Sequence, residues 1–128
     1  MKFLKLALAL ALFSTAFQTA AAAQPTLDGT YMSTFASGEE TFLTEITFAT
    51  TPEGIVTGTY TYEGREAPGA LSDIKLGLDN IATATWEEDG VTGRVRFTFE
   101  DDTLQYFVGT WGFGDSDTDG GWWNGKHL

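Results

Sequence analysis

The stretch VTGRVRFTFE, Val91 to Glu100, alternates without a break. Val91, Gly93, Val95, Phe97 and Phe99 fall on one side, and Thr92, Arg94, Arg96, Thr98 and Glu100 fall on the other. Successive side chains of an extended chain point to opposite faces, so a period of two with charges on one face predicts a half-buried antiparallel strand. Working outward, runs of the same kind lie at Gly29 to Phe35, Phe42 to Phe48, Ile55 to Tyr62, Ile81 to Glu87, Leu104 to Phe113 and Trp122 to Lys126. A weaker one lies between Gly69 and Leu76. The connections ASGEE, TTPEG, EGREAP, LGLDN, EEDG and EDDT each supply the Gly, Pro, Asn or Asp that a turn needs. Short strands spaced by about ten residues with turn chemistry between them describe an all-β protein. The expectation is a single antiparallel meander of about eight strands, closed as a small β-barrel or, alternatively, folded as a β-sandwich.

A weak internal repeat fits that reading. Threonine followed by a large aromatic recurs as Thr30-Tyr31, Thr59-Tyr60, Thr85-Trp86 and Thr110-Trp111, and glycine precedes three of the four, at Gly29, Gly58 and Gly109. Each period is long enough for two strands. A strand glycine packs poorly by itself, but it leaves a hollow that an aromatic ring of the next strand can cover, and it permits the coiling a small sheet needs to close.

The first 23 residues stand apart from this pattern. Lys2 and Lys5 precede an apolar run from Leu6 to Phe13, and polar and small residues then lead to Ala21-Ala22-Ala23. That order is expected of a secretory signal peptide cut after Ala23, with residues 24–128 as the single all-β domain. The apolar run falls well short of the roughly 20 residues a membrane span requires, and retention as an anchor is the alternative. The chain has no cysteine, so neither disulfides nor a lipid-bearing cysteine contributes, and the core alone must hold the domain.

All eighteen carboxylates lie beyond residue 23. Leaving out Lys2 and Lys5 takes the net charge from −11 to −13. Such a surface repels phosphate backbones and anionic lipid, so neither nucleic acid nor a membrane surface is expected as a partner. It favours solubility, cations and cationic proteins.

The segments VTGTYTYEG, ATWEEDGVTGRVRFTFEDD and FVGTWGFGDSDTDGGWWNGK resemble a family of small secreted bacterial β proteins, built on recurring G-x-W/Y motifs and a closing G-x-W-G-x-G…G-x-W-x-G segment. The resemblance spans residues 24–128 and implies a β-rich exported domain, periplasmic or secreted, with no activity to carry over. This chain differs in having Lys126-His127 where the family has an arginine, and in its run of aspartates. Its size and TGTY motif are also compatible with lipocalins or avidins, whose ligand-binding positions find no match here.

Candidate chemistry falls into three groups. Asp115, Asp117, Asp119 and Gly120 complete the first half of a calcium-loop pattern, in which alternate carboxylates converge on one hard cation. The bidentate glutamate that should follow is replaced by Lys126, which excludes an EF-hand and leaves either a looser calcium site or a solvated turn. Trp86, Trp111, Trp122 and Trp123, with Tyr31, Tyr60, Tyr62 and Tyr106, are the aromatics suited to a sugar-stacking face or barrel mouth, because a flat ring with a polar handle suits both uses, and Trp111, Trp122, Trp123, Tyr60 and Tyr62 are the ligand-binding candidates among them. Adjacent Trp122 and Trp123 must take opposite faces of a strand, which puts one of them outside or at a rim.

Catalysis finds little support. His127 is the single histidine and sits beside the C-terminal residue, where fraying is expected. Ser33, Ser37, Ser72 and Ser116 lack a nucleophile-elbow motif. Glu87-Glu88-Asp89 and Glu100-Asp101-Asp102 are read as turn residues that aid solubility. The functional expectation is therefore an exported, non-catalytic module binding a small molecule or glycan through its aromatics. An acidic inhibitor or assembly protein docking a cationic partner is the alternative, and a minimal hydrolase the third reading.

Overall fold

The computed structural model describes residues 26–128; the signal peptide expected at residues 1–23 lies outside that range. Eight strands follow one another: β1 (Gly29–Ser37), β2 (Glu40–Thr50), β3 (Val56–Tyr62), β4 (Gly69–Leu76), β5 (Ile81–Glu88), β6 (Val91–Phe99), β7 (Tyr106–Phe113) and β8 (Gly121–His127). Each pairs antiparallel with the next, and β1 pairs with β8 from Tyr31↔His127 to Phe35↔Trp123, so the meander is a closed barrel. Every strand has hydrogen-bonded neighbours on both sides, which replaces the β-sandwich alternative. Hairpins β1–β2, β3–β4, β5–β6 and β7–β8 lie at one end of the barrel, and the other three connections lie at the opposite end.

The alternation read in VTGRVRFTFE holds inside β6, where Gly93, Val95, Phe97 and Phe99 are buried and Val91 at the hairpin is exposed. Eight strands enclose an interior only just wide enough for side chains. Here aromatic rings fill it by lying across glycines of the adjacent strand. The register pairs Phe48↔Gly58, Tyr60↔Gly69, Trp86↔Gly93, Phe97↔Gly109 and Phe107↔Gly125 each set a ring against a glycine, and the Trp111 ring lies against Gly120 just before β8. At Gly93 the approach is closest to rigid structure, since an added Cβ would meet both the Trp86 ring and the Gly112 carbonyl oxygen.

One end of the barrel is packed shut. The Tyr31 ring sits edge-on to Phe48, Phe99 and Phe107 at 5.7 to 6.0 Å, and Leu27 and Leu104 are buried over it. The Tyr31 hydroxyl donates to the Leu104 carbonyl oxygen at 2.7 Å. Leu104 precedes β7 instead of opening it, and its φ of 58° is left-handed backbone that a bulky residue rarely adopts. That conformation turns the side chain inward while presenting the carbonyl to Tyr31.

Two further expectations are corrected, at Ile55 and His127. Ile55 precedes β3 and is exposed. The weaker run Gly69–Leu76 is a strand as expected, with a bulge between Ser72 and Lys75, where Asp73 also takes a positive φ. His127 is ordered within β8, its ring 4.7 Å from that of Tyr31 and its Nε2 3.0 Å from the Asp28 carbonyl oxygen.

Replacing Gly93 by alanine is expected to cost about 1–3 kcal/mol, the range for forcing a methyl into a filled core. Chemical denaturation measures it. Gly58→Ala should cost less, because its nearest neighbours, Leu71 and Phe48 at 3.1 Å, are side chains that can shift.

Candidate functional site

The opposite end of the barrel is open. Two inward positions follow each other at i and i+2 near the end of β3, β5 and β7. Trp86 and Glu88 end β5, Trp111 and Phe113 end β7, and Tyr60 and Tyr62 end β3. With Phe35 and Ser37 of β1, Phe42 of β2 and Trp123 of β8, they line a cavity of about 220 Å³ that opens to solvent. Rings meet at their edges around it. Trp86 and Trp111 are T-shaped at 5.8 Å, Tyr60 and Trp123 at 5.3 Å, and Phe35 stacks on Phe42 at 5.1 Å.

The polar handles of these aromatics turn away from the cavity or onto one residue at its edge. The Trp86 indole N–H donates to the Gly112 carbonyl oxygen at 2.8 Å, Trp111 to that of Ala36 at 2.9 Å, and Trp123 to the Ser33 hydroxyl at 3.0 Å. Ser33 in turn donates to the Thr44 carbonyl oxygen. Both tyrosines donate to Glu88: Tyr60 to Oε1 at 2.7 Å and Tyr62 to Oε2 at 3.1 Å. Arg65, from the β3–β4 hairpin, places Nη1 3.4 Å from Glu88 Oε2 and 3.0 Å from Asp89 Oδ2. Its Nε is buried without a partner.

Burial, reinforced by the hydrogen bond to Glu88, holds the Tyr60 phenol far above its ordinary pKa. Burial and the charge of Glu88 raise Tyr62, and burial alone pushes Tyr31 up to about 12. The Arg65 guanidinium is raised chiefly by its hydrogen bond to Asp89.

The rim is acidic. The four hairpins at this end carry Glu39 and Glu40; Glu63 and Glu66; Glu87, Glu88 and Asp89; and Asp115, Asp117 and Asp119, against Arg65 as their one cation. Of the residues expected to bind ligand, Trp111, Trp123, Tyr60 and Tyr62 come together at the cavity. Trp122 does not: it is 41% exposed on the outer wall, whereas Trp123 is 3% exposed inside. Glu88 was not anticipated as a site residue. The signal was present, because Ala82, Ala84, Trp86 and Glu88 are successive members of one alternating face. Reading Glu87-Glu88-Asp89 only as a turn broke that face one residue too early.

The aspartate loop is organised around its own hydrogen bonds. Asp119 Oδ1 accepts the Phe113 amide at 2.8 Å, and the Ser116 hydroxyl accepts the amides of Thr118 and Asp119. Asp115 is exposed and Asp117 half-buried. Among the described residues no three or more His, Cys, Asp or Glu side chains gather closely enough to hold a metal ion. Among them, too, no helix is long and apolar enough to cross a membrane.

Two outcomes follow from these contacts. A phenol whose pKa is higher folded than unfolded stabilises the fold fully below pH ~10, and the contribution is lost as pH rises through the folded value. Stability should therefore decline above pH ~10 as unfolded tyrosines ionise first; denaturation midpoints against pH would show it, with a shallower decline in Tyr60→Phe. In the aspartate loop, Asp119→Ala should cost about 1 kcal/mol through the lost Phe113 hydrogen bond. Asp115→Asn should stay within about 0.5 kcal/mol, as surface changes do.

Comparison of the chain with protein-family models, curated proteins and solved structures returns no match. What the open end holds is read from its own chemistry.

Proposed function

We propose that this protein is an exported, non-catalytic binding module that takes a small ligand into the open aromatic end of its barrel. The observation that carries this reading is the contrast between the two ends of one barrel. At the closed end Leu27, Tyr31 and Leu104 fill the space, whereas at the other end eight aromatic residues surround about 220 Å³ left unfilled. A packed apolar interior does not ordinarily leave a space of that size, and concave aromatic sites with a few fixed polar groups are what small ligands occupy. A cavity of about 150 Å³ accepts benzene, so this one matches a body of about one ring with a short substituent.

Rigidity supports the same reading. Each indole and phenol at the cavity is fixed by a hydrogen bond, so little side-chain freedom remains to be lost on binding. Glu88 has both oxygens engaged by phenols, with a guanidinium beside one of them, which suits a fixed acceptor better than a nucleophile or a proton shuttle. The leader read at residues 1–23 supports export.

Titration with single-ring neutral, cationic and anionic compounds and with monosaccharides, followed by tryptophan emission, tests the proposal. Trp86, Trp111 and Trp123 all line the cavity, so occupancy is expected to give a saturable change. Phe113→Ala, which removes a half-exposed ring packed on Trp86 and Trp111, should weaken binding about fivefold. Emission that stays unchanged across the panel at millimolar concentration would sink the reading.

A further inference from the structure

We infer that the ligand of this cavity is a small organic cation: an ammonium group joined to an apolar body of about one ring. The inference rests on the ligand-binding reading above and adds the chemical class. Three independent observations converge on it.

The first is the hydrogen-bond inventory. All five donor-bearing aromatics at the cavity are committed to protein acceptors, namely the Gly112 and Ala36 carbonyls, the Ser33 hydroxyl and the two oxygens of Glu88. Apart from Ser37 at the rim, the lining side chains have no donor to offer. Acceptors remain: a carboxylate has about four lone-pair sites, and each tyrosine hydroxyl that donates still accepts. A sugar, whose hydroxyls need acceptors and donors together, would bury oxygens without partners at a cost. A carboxylate or phosphate ligand would find one donor in the lining, the Ser37 hydroxyl, and beside the edge only the Arg65 guanidinium, whose charge Glu88 and Asp89 already share. An ammonium brings only donors.

The second observation is local charge. Glu88 and Asp89 share the single guanidinium of Arg65, leaving one net negative charge at the cavity's edge. The hydrogen bonds from Tyr60 and Tyr62 and the contact with Arg65 hold that carboxylate where it is, at the hydroxyls of the two phenols. Aromatic faces attract cations through the ring quadrupole, most strongly when water is excluded. Fixed indole faces and a fixed carboxylate around one cavity therefore reinforce each other.

The third is the field over the entrance. Ten carboxylates against one cation on the four hairpins of this end focus negative potential on the opening, which concentrates cations and repels anions before any contact is made.

Matched probes separate the class of ligand from the existence of a site. 2-Phenylethylamine, 2-phenylethanol and phenylacetate have the same ring and nearly the same length but carry positive, zero and negative charge. Each is titrated into the protein while the indole N–H resonances of Trp86, Trp111 and Trp123 are followed by NMR. The amine should bind about tenfold more tightly than the alcohol, with phenylacetate weakest, and the amine's advantage should shrink as salt is added. Glu88→Gln, which keeps an acceptor for the tyrosines, should bring the amine down to the affinity of the alcohol. The salt series on the unaltered protein reads the same charge dependence if that variant folds poorly. An alcohol or acid that binds as tightly as the amine overturns the cationic assignment and leaves the binding site standing. If none of the three moves the indole resonances, the binding-module reading falls with it.

Discussion

An eight-stranded sheet that closes on itself has a fixed interior, and without helices against it or disulfides across it every inward position must fill its share of that space. This chain does so with large rings, and a ring fits only where the strand beside it gives way. Tyr60 over Gly69, Trp86 over Gly93 and Phe107 over Gly125 are the same contact at different heights. The glycine removes a side chain, the ring occupies the vacated volume, and the two strands come close enough to coil. Hydrogen bonds from the rings to neighbouring backbone then lock the arrangement: Trp86 to Gly112 across β6, and Trp111 to Ala36 across β8. The open cavity exists because these locked rings cannot swing in to fill it.

The same locking gives the cavity its polarity. An indole that spends its N–H on the barrel wall shows only its face and edge to whatever enters. Two phenols that spend theirs on Glu88 bind a carboxylate to the rim of an otherwise apolar chamber. Packing and the polarity of the cavity are thus set by one group of hydrogen bonds.

Much of the fold was legible in the chain. Strict alternation in Val91 to Glu100, turn residues at regular intervals and the recurring threonine–aromatic pairs are local properties, and a strand that is half buried carries them in its own sequence. The glycine–aromatic complementarity was legible for the same reason. Closure was expected from the strand glycines, but the register of the seam was not legible, because the pairing of Phe35 with Trp123 is a long-range contact with no local signature. Leu104 misled because an apolar residue beside a strand is most simply continued into it, whereas here left-handed backbone buries it from a loop. At the site, Trp123 was separable from Trp122 by alternation alone. Glu88 was obscured by its acidic neighbours, since its role depends on Tyr60, Tyr62 and Arg65 reaching it from another strand and another hairpin. The aspartates at 115, 117 and 119 show the converse: spacing in sequence proposes convergence, and the Phe113 amide and Ser116 hydroxyl direct the loop otherwise.

Seven of the eight strand pairings join neighbours along the chain and close short loops. The pairing of β1 with β8 alone brings distant segments together, through the five register pairs between Tyr31↔His127 and Phe35↔Trp123. It closes the longest loop in the barrel, and long-range pairing of this kind is what slows the folding of β proteins. An unzipped seam bares two strand edges, each a template for the complementary strand of a second copy. The cavity straddles this line, with Phe35 on one bank and Trp123 on the other, and Trp111 reaches over β8 to Ala36. A ligand resting against both banks, as proposed, would act as a clasp and tie the lifetime of the closed barrel to the occupancy of its open end.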